Sequence, residues 1–586
     1  MPAKVQNNKA VGNVLREAAL LLELKGENPF KVRAYSNAAR SIETMDEEIV
    51  GMTHEGRLRD VEGVGETLAQ QITELVETGS LQLLEELKRT VPPGHLEMLK
   101  IPGLGPKKIK VLSDTLHIQT IGELEYACSE NRLIELQGFG QKSQEKILKG
   151  IQQVKKYQGR YLYGDTLPLA ESVLERIRSH PKVLRASIAG SLRRRMEIVG
   201  NVNLVVSTQR PQEVLTAVSK FPEVEVVQFG DKGTGHYSLA SGVQLDLQTP
   251  SDQDFAHHLY RLTGSFSHWR AMTKKAESLA FELNEQGLLR NGRPLGFKEE
   301  EDIFRTLGID FIPPELREDQ GEIEAAEGHR LPRLICEQDL KGIFHVHSSF
   351  SDGTSSVQVM AETARKLGFS YIGISDHSQS ARYAGGLTLE KLRRQWEEVD
   401  RLNREMEGFH IFKGIESDIL SDGSLDYDEE ILNQFDFVIA SVHSHFNMTR
   451  EEMTQRVMRA LKNPYTTILA HPTGRLLLAR EPYAIDMIPI IDEAARQRVA
   501  IELNAHPYRL DIDWRLCKYA KEKGVTIAIN PDAHDPEGLK DTCFGVGIGR
   551  KGWLEPGDVL NTRSLEEMRE YLKERSSWRK NRTQKG

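Results

Sequence analysis

Seven short apolar runs punctuate the C-terminal part of the chain: GIFHVH from Gly342, YIGISDH from Tyr371, HIFKGIESD from His410, FVIASVHSH from Phe437, TTILAHP from Thr466, AIELNAHP from Ala500 and TIAINPDAH from Thr526. Unbroken apolar character over so few residues, with helical stretches between most of the runs, is what strands buried on both faces of a parallel sheet require. Every run ends in histidine or a carboxylate. In a β/α barrel the C-terminal ends of the strands converge on one rim. His345, His347, His377, Glu416, His443, His471, Asp532 and His534 are therefore expected to meet there, with Asp352 from the loop SFSDGTSS beside them. One histidine at a strand end is ordinarily a solvated or capped side chain. Recurrence at every strand points instead to a metal site built from imidazoles and carboxylates.

Upstream the pattern changes twice. Between residues 159 and 316, β-branched runs such as VNLVVS and VQLDLQ alternate with helical stretches, which predicts a mixed α/β domain with a small sheet. Residues 10–155 read as helices broken by glycine turns. The segments LRDVEGVGETLAQQI, LKIPGLGPKKIKVL and LIELQGFGQKSQEKIL repeat one pattern: an apolar residue, a Gly-x-Gly hairpin and a helix start. The hairpins, Gly63/Gly65, Gly103/Gly105 and Gly138/Gly140, leave backbone N–H groups facing outward at a helix N-terminus, where a phosphate can bind. Lys107, Lys108 and Lys110 after the second, and Lys142 and Lys146 after the third, add positive charge; Glu62 and Glu66 make the first a poorer anion site. The segment from 313, PPELREDQGEIEAAEG, is acidic and poor in strand formers, which predicts a linker with one helical turn. The expected division is a helical domain at 1–88, a second helical region with two hairpins at 89–158, an α/β domain at 159–316, a linker at 317–339, the barrel at 340–572 and a basic tail at 573–586.

A length of 586 residues agrees with several domains, at roughly 100 to 200 residues each. No apolar run approaches the roughly 18 residues of a bilayer span, which excludes a membrane segment. The start MPAKVQNNKAVGNV lacks the apolar stretch of a secretory signal, so the cytoplasm is the expected compartment. Cys128, Cys336, Cys517 and Cys543 stand far apart without a CxxC, excluding a zinc ribbon and a disulfide framework. A net charge of −9 does not advertise a nucleic-acid binder, so any DNA contact is local. Nine of the 18 histidines fall between residues 341 and 540, which concentrates the chemistry there.

AGSLRRRMEIVGNVNLVV, followed by VQLDLQ and LTGSFSHW, resembles the palm and thumb of family X DNA polymerases, and the glycine hairpins resemble helix-hairpin-helix DNA-binding modules. The resemblance implies that Gly190, Ser191 and Arg194 hold an incoming dNTP, with Arg193 and Arg195 available to grip DNA or a triphosphate. It also implies that three carboxylates hold two magnesium ions. Two of those fall on Asn201 and Asn203, and only Asp246 remains. An amide is a weak ligand for a hard cation, so magnesium is expected to be absent from the palm unless another acid, such as Glu197, substitutes. The family's Tyr-Phe pair falls on Arg261 and Leu262, its asparagine near the base on Trp269, and its lyase lysine on Gln71, which cannot form a Schiff base.

The barrel resembles the PHP phosphoesterase superfamily, a distorted (β/α)7 barrel with a trinuclear metal centre, over roughly residues 340 to 572. The resemblance implies that His345, His347, Glu416 and Asp532 hold one metal, that Glu416 bridges to a second held by His443 and His471, and that Asp352, His377 and His534 hold the third, with Glu416 and Asp532 central to catalysis. The acid usual before the first His-x-His pair is Ile343 here, and His410, His445 and His506 match no ligand position. Mixed nitrogen and oxygen ligands favour manganese, with zinc second. Arg382, Arg475 and Arg509 follow strands and are candidate phosphate clamps; the tail SSWRKNRTQKG is expected to be disordered, with weak DNA contact as the sharper option.

Together these features predict a monomeric DNA repair protein: a family X polymerase fused to a PHP domain that trims 3′ ends of gapped or 3′-ended duplex DNA as a manganese-dependent 3′-to-5′ exonuclease, with nicking at abasic sites as a further option. The front half would serve mainly as a DNA-holding scaffold. The alternatives are a working nucleotidyltransferase that fills short gaps with the barrel as proofreader, a DNA-binding adaptor with structural metal, and a small-molecule phosphatase.

Overall fold

Residues 8–45, 47–134, 136–155, 159–230 and 233–583 are described by a computed structural model, and the chain divides into two units, 1–154 and 155–586. In the first unit, short helices from Asn8–Lys25 to Gln141–Lys155 surround one apolar core that extends from Val11 to Ile151, so a single core lies on both sides of residue 88. The glycine hairpins shape it. Gly63, Gly103 and Gly138 all take positive φ, between 83° and 88°, where a residue with a Cβ is strained. Gly65 and Gly105 then cap the helices Glu66–Thr78 and Pro106–Leu116 without a side-chain hydrogen bond, as expected of open N–H groups.

In the second unit, after the helix Tyr163–Arg178, comes a five-stranded sheet in the order Val183–Ala189, Asn201–Thr208, Gln244–Gln248, Thr234–Leu239, Val224–Phe229, in which only the second and third strands run parallel. The helix Phe266–Ser278 and a three-stranded antiparallel sheet over 282–294 follow.

The acidic segment 313–340, expected as a linker, is packed. It carries the helix Glu322–Glu327, and Leu316, Ile323, Ala326 and Leu334 share a core with Phe304 and Trp553. Three of its acids are paired with groups from elsewhere in the chain. Glu315 accepts from Arg550 at 2.7 Å, Glu318 meets Arg194 at 2.8 Å and Lys551 at 2.5 Å, and Glu322 meets His268 at 2.6 Å. Lys551, Arg317 and Glu322 are 0 % exposed. Composition reads acidity as solvation, whereas the partners here come from as far as 235 residues along the chain. Arg317 pairs with Glu300 and lies 4.9 Å over the ring of Phe304. Burial opposes the charge on Glu300, but Arg317 and Arg193 outweigh it and hold its carboxyl below the ordinary range. Replacing Arg317 by Met leaves half of that compensation missing and is expected to destabilise this unit by about 3 to 5 kcal/mol, measured as a lowered urea midpoint.

The seven expected strands all form, as Gly342–Val346, Tyr371–Ile374, His410–Asp418, Phe437–Ser441, Ile468–Leu469, Ala500–Asn504 and Ile527–Asn530, parallel and neighbouring in chain order. A bridge between Val346 and Ala533 brings the last strand to the first, so the sheet is a nearly closed barrel. Helices including Val357–Lys366, Leu389–Glu405 and Met487–Gln497 cover it. The tail also departs from expectation: the helix Leu565–Thr583 runs through most of it, anchored by Arg575, which is buried and donates to the carbonyls of Arg498 and Thr466. Residues 584–586 lie outside the described residues. Among the described residues, no helix is long and apolar enough to cross a membrane.

Candidate metal centre

The barrel brings all nine expected donors together at the C-terminal ends of its strands. Glu416, near the end of the third strand, is the hub. Its Oε1 lies 3.2 Å from His345 Nε2, 3.2 Å from His443 Nε2 and 3.0 Å from His471 Nε2, and its Oε2 lies 2.8 Å from His377 Nδ1 and 3.7 Å from His347 Nε2. Asp532 Oδ1 sits 3.2 Å from His345 and 3.3 Å from His347. Asp352 faces His347, His377 and His534 at 3.4 to 3.7 Å. Four overlapping groups have donor atoms within 4.8 Å of one another: His347/Asp352/His377/His534, His345/His471/Asp532, His345/His347/Glu416 and His377/Glu416/His443.

Local backbone geometry aims several of these side chains. The register of the first strand shifts between Ile343 and Val346, and His345, His471 and Asp532 take φ of 57°, 53° and 54°. Left-handed backbone is uncommon outside glycine and is retained where the surroundings over-determine it.

The donor set fits metal cations. His345 Nε2, both ring nitrogens of His347 and of His377, and Glu416 Oε2 are buried without a hydrogen bond among the described residues; they face their neighbours at contact distance without the alignment a hydrogen bond needs. Buried polar atoms left in this way cost stability, and a divalent cation would satisfy several at once. The imidazoles also divide in charge. Burial opposes protonation of His345, but Asp532, Glu502 and Glu416 outweigh it and raise its pKa well above the ordinary value. For His377, burial is likewise overcome by Asp352 and Glu416, which raise it to about 10. Burial and the rings of His534 and His377 push His347 down to about 4, and burial with Arg509 pushes His471 down to about 3.

Three buried acids behind the donors were not legible as ligands or neighbours. Glu502 Oε1 lies 2.7 Å from His345 Nδ1, Asp418 Oδ1 lies 2.6 Å from His443 Nδ1, and Asp376 accepts from Ser348 N–H and hydroxyl and from Gln395 at 2.5 to 2.8 Å. A carboxylate on Nδ1 fixes the tautomer that turns Nε2 toward a metal. Ile343 is fully buried in the apolar core, and Glu502 supports His345 from across the barrel. The one sequence signal for Glu502 is an acid inside an otherwise apolar strand.

The candidate phosphate clamps separate. Arg509 is buried with Nε 3.4 Å from Asp532 Oδ2, and Arg382 is exposed. Arg475 is tied to Asp513 at 2.9 Å and Glu197 at 3.3 Å, so it is a structural cation. His410 sits at the start of its strand, away from the rim, and His445 is exposed. His506 follows the sixth strand, where its N–H donates to Asn504 Oδ1 at 3.0 Å.

The palm positions form a closed chain of hydrogen bonds. Asn203 Nδ2 donates to Asn201 Oδ1 at 3.1 Å, Asn201 Nδ2 donates to Asp246 Oδ2 at 2.5 Å, and His236 Nδ1 lies 2.6 Å from Asp246 Oδ1. Both oxygens of Asp246 are thus engaged by the protein. Glu197, named as a possible replacement, faces Arg475. Among the described residues, no metal-capable group of three lies in the palm. Gly190 opens the short helix Gly190–Arg193, which also holds Ser191, but Arg194 is spent on Glu318 and the Thr263 carbonyl, and Arg193 on Glu300 and the Thr263 hydroxyl. Trp269 packs against Tyr260, and Arg261 and Leu262 are half-buried. In the first unit, Gln71 accepts a hydrogen bond from the Tyr35 hydroxyl at 2.6 Å. Lys107 and Lys142 are exposed beside their hairpins, while Lys108 donates to Ser143 at 3.3 Å and so ties the second hairpin helix to the third.

Known families match along this layout: a helix-hairpin-helix domain over residues 6–81, a SAM-like helix-hairpin-helix tandem over 96–153, the DNA polymerase beta thumb over 258–318 and the PHP domain over 344–506. A protein of Bacillus subtilis named DNA polymerase/3′-5′ exonuclease PolX is 38% identical over 97% of this chain and 99% of its own length. A protein of Acetivibrio thermocellus named "Probable phosphatase" is 32% identical over 39% of this chain and 93% of its own length, and another of that description from Thermoanaerobacter pseudethanolicus is 28% identical over 39% and 94%. Similarity to the first runs end to end and takes in the hairpins, the thumb and the barrel, so the chain belongs to the PolX family, the family X DNA polymerases that carry a C-terminal PHP domain.

Proposed function

We propose that this protein is a metal-dependent 3′-to-5′ exonuclease of DNA repair whose polymerase half holds DNA and has lost most or all synthesis. The observation that carries the reading is the nine-donor cage around Glu416, set against a palm whose single remaining acid is already engaged. His345, His347, Glu416 and Asp532 would hold one cation, Glu416, His443 and His471 a second, and Asp352, His377 and His534 a third, with manganese favoured over zinc by the mixed donors. When bound, such cations polarise a phosphodiester and activate water toward it. Around them, Glu502 and Asp418 orient His345 and His443, and Arg509 beside Asp532 offers a guanidinium to the charge that builds on the phosphoryl oxygens.

Gly63, Gly65, Gly103, Gly105, Gly138 and Gly140 with Lys107, Lys108 and Lys142 supply backbone N–H groups and cations to DNA phosphates, independent of sequence. Gly190 and Ser191 remain for a dNTP, but Arg194 would have to leave Glu318 to join them. The name of the Bacillus subtilis relative, a DNA polymerase as well as an exonuclease, favours the second reading, gap-filling synthesis with the barrel as proofreader.

One assay separates the two. On a gapped duplex with manganese, full-length protein is expected to shorten the 3′ end whether or not dNTPs are present, and His345→Ala to abolish shortening with the fold retained by circular dichroism. Templated extension that disappears in Asp246→Ala would overturn the scaffold reading.

A further inference from the structure

The chain leaves the barrel rim at His377 and returns at Leu387, and the loop between is held at many points. Leu387 N–H donates to His377 O at 2.8 Å, and Ala381 N–H to Ser378 O at 3.0 Å. Ser380 donates its N–H to Asp426 at 2.7 Å and its hydroxyl to Asp418 at 2.9 Å, the same acid that holds His443. Lys391 Nζ closes the far side on Gly385 O at 2.8 Å. Gly386 has no room for a side chain, because a Cβ would lie 2.0 Å from Ser378 O. Ala381, Ala384 and Leu387 face inward, 0 %, 2 % and 0 % exposed. From this stiff loop Arg382 and Tyr383 stand outward. Tyr383 is 38 % exposed, with its ring centroid 6.2 Å from that of His377 and 6.4 Å from that of His443.

We propose that Tyr383 is a specificity residue: its ring stacks on the base of the 3′-terminal nucleotide whose phosphodiester lies at the metal centre, with Arg382 beside it for the next phosphate. The inference rests on the exonuclease reading above and deepens it by naming what the site recognises besides phosphorus. The Tyr383 ring contacts those of His377 and His443 and keeps part of its surface open to solvent. A ring held out on a fixed loop, within a base's width of two donor imidazoles, is preorganised to bind a flat partner, and stacking accepts every base because each has a π face.

The test uses full-length protein with manganese and two oligonucleotides, identical except that one ends in a normal 3′ nucleotide and the other in a tetrahydrofuran residue that lacks a base. The wild type is expected to favour the base-bearing end by about tenfold in kcat/KM, in line with the worth of one stacked base. Tyr383→Leu should bring the ratio to within about twofold of one, and Tyr383→Phe should restore it, with bound manganese equal in all three proteins. A preference that survives in Tyr383→Leu, or its absence from the wild type, overturns the stacking role while leaving the exonuclease reading intact. Loss of manganese from Tyr383→Leu that Phe rescues also overturns it, because the ring would then be packing the donors. Cleavage of neither end by the wild type overturns the exonuclease reading and this one with it.

Discussion

Glu416→Gln is expected to lose both bound metal and phosphodiester hydrolysis, with kcat on a gapped duplex down by about a thousandfold or more. Five imidazoles reach this one carboxylate within 2.8 to 3.7 Å, against three around Asp352 and two around Asp532. The amide keeps the shape and removes the charge. Without that charge, cations held close together lose the anion that offsets their mutual repulsion, and the imidazoles lose the acceptor that balances their burial. A thousandfold loss corresponds to about 4 kcal/mol at 1.36 kcal/mol per decade. Metal analysis of the purified variant beside the nuclease assay checks it. Full metal content with intact hydrolysis would displace Glu416 from the centre.

The seven strands and the gathering of nine histidines and carboxylates at one rim were legible because the two patterns reinforce each other: an apolar run predicts a strand, and a polar residue at its end predicts a rim. What was not legible depends on pairing across the fold. Nothing local marks Glu315 as buried or Glu318 as paired, since the partners Arg194, Arg550 and Lys551 lie far along the sequence. The same holds for Arg475, which resembles a phosphate clamp in the sequence and is consumed by Glu197 and Asp513. Glu502 was hidden because it sits inside a strand rather than at its end, and its role follows only from the His345 Nδ1 that it faces. The left-handed backbone at His345, His471 and Asp532 has no signal in residue type at all. In the palm, by contrast, the loss of charge at Asn201 and Asn203 was visible directly, and the structure adds that the Asn201 amide donates to Asp246 while the Asn203 amide donates to Asn201.

Metal-free protein is expected to be most stable near pH 6.5, the ordinary pKa of an unfolded histidine, and to weaken on both sides. On the alkaline side the controlling groups are His377, held at about 10, and His345, held well above its usual value, because nearby carboxylates outweigh the burial that opposes their charge. Between 6.5 and about 10 the folded chain binds more protons than the unfolded one, so stability falls as pH rises. On the acid side His347 and His471 are pushed by burial and neighbouring cationic groups to about 4 and about 3. Below 6.5 the unfolded chain binds protons that these folded imidazoles refuse, so stability falls as pH drops. Asp352, Glu416 and Asp532 are held well below the carboxylate range by the histidines that overcome their burial, and they extend the loss below about 4. At about 1.4 kcal/mol per tenfold change in proton affinity, each limb should amount to a few kcal/mol. The measurement is the urea midpoint against pH in chelator. Manganese should reverse the alkaline limb alone, since binding requires unprotonated imidazoles and strengthens as pH rises. A chelated midpoint that climbs steadily from pH 6.5 to 9 would mean that His345 and His377 are neutral in the empty cage, and that the carboxylates around them are too weakly coupled to gather three cations.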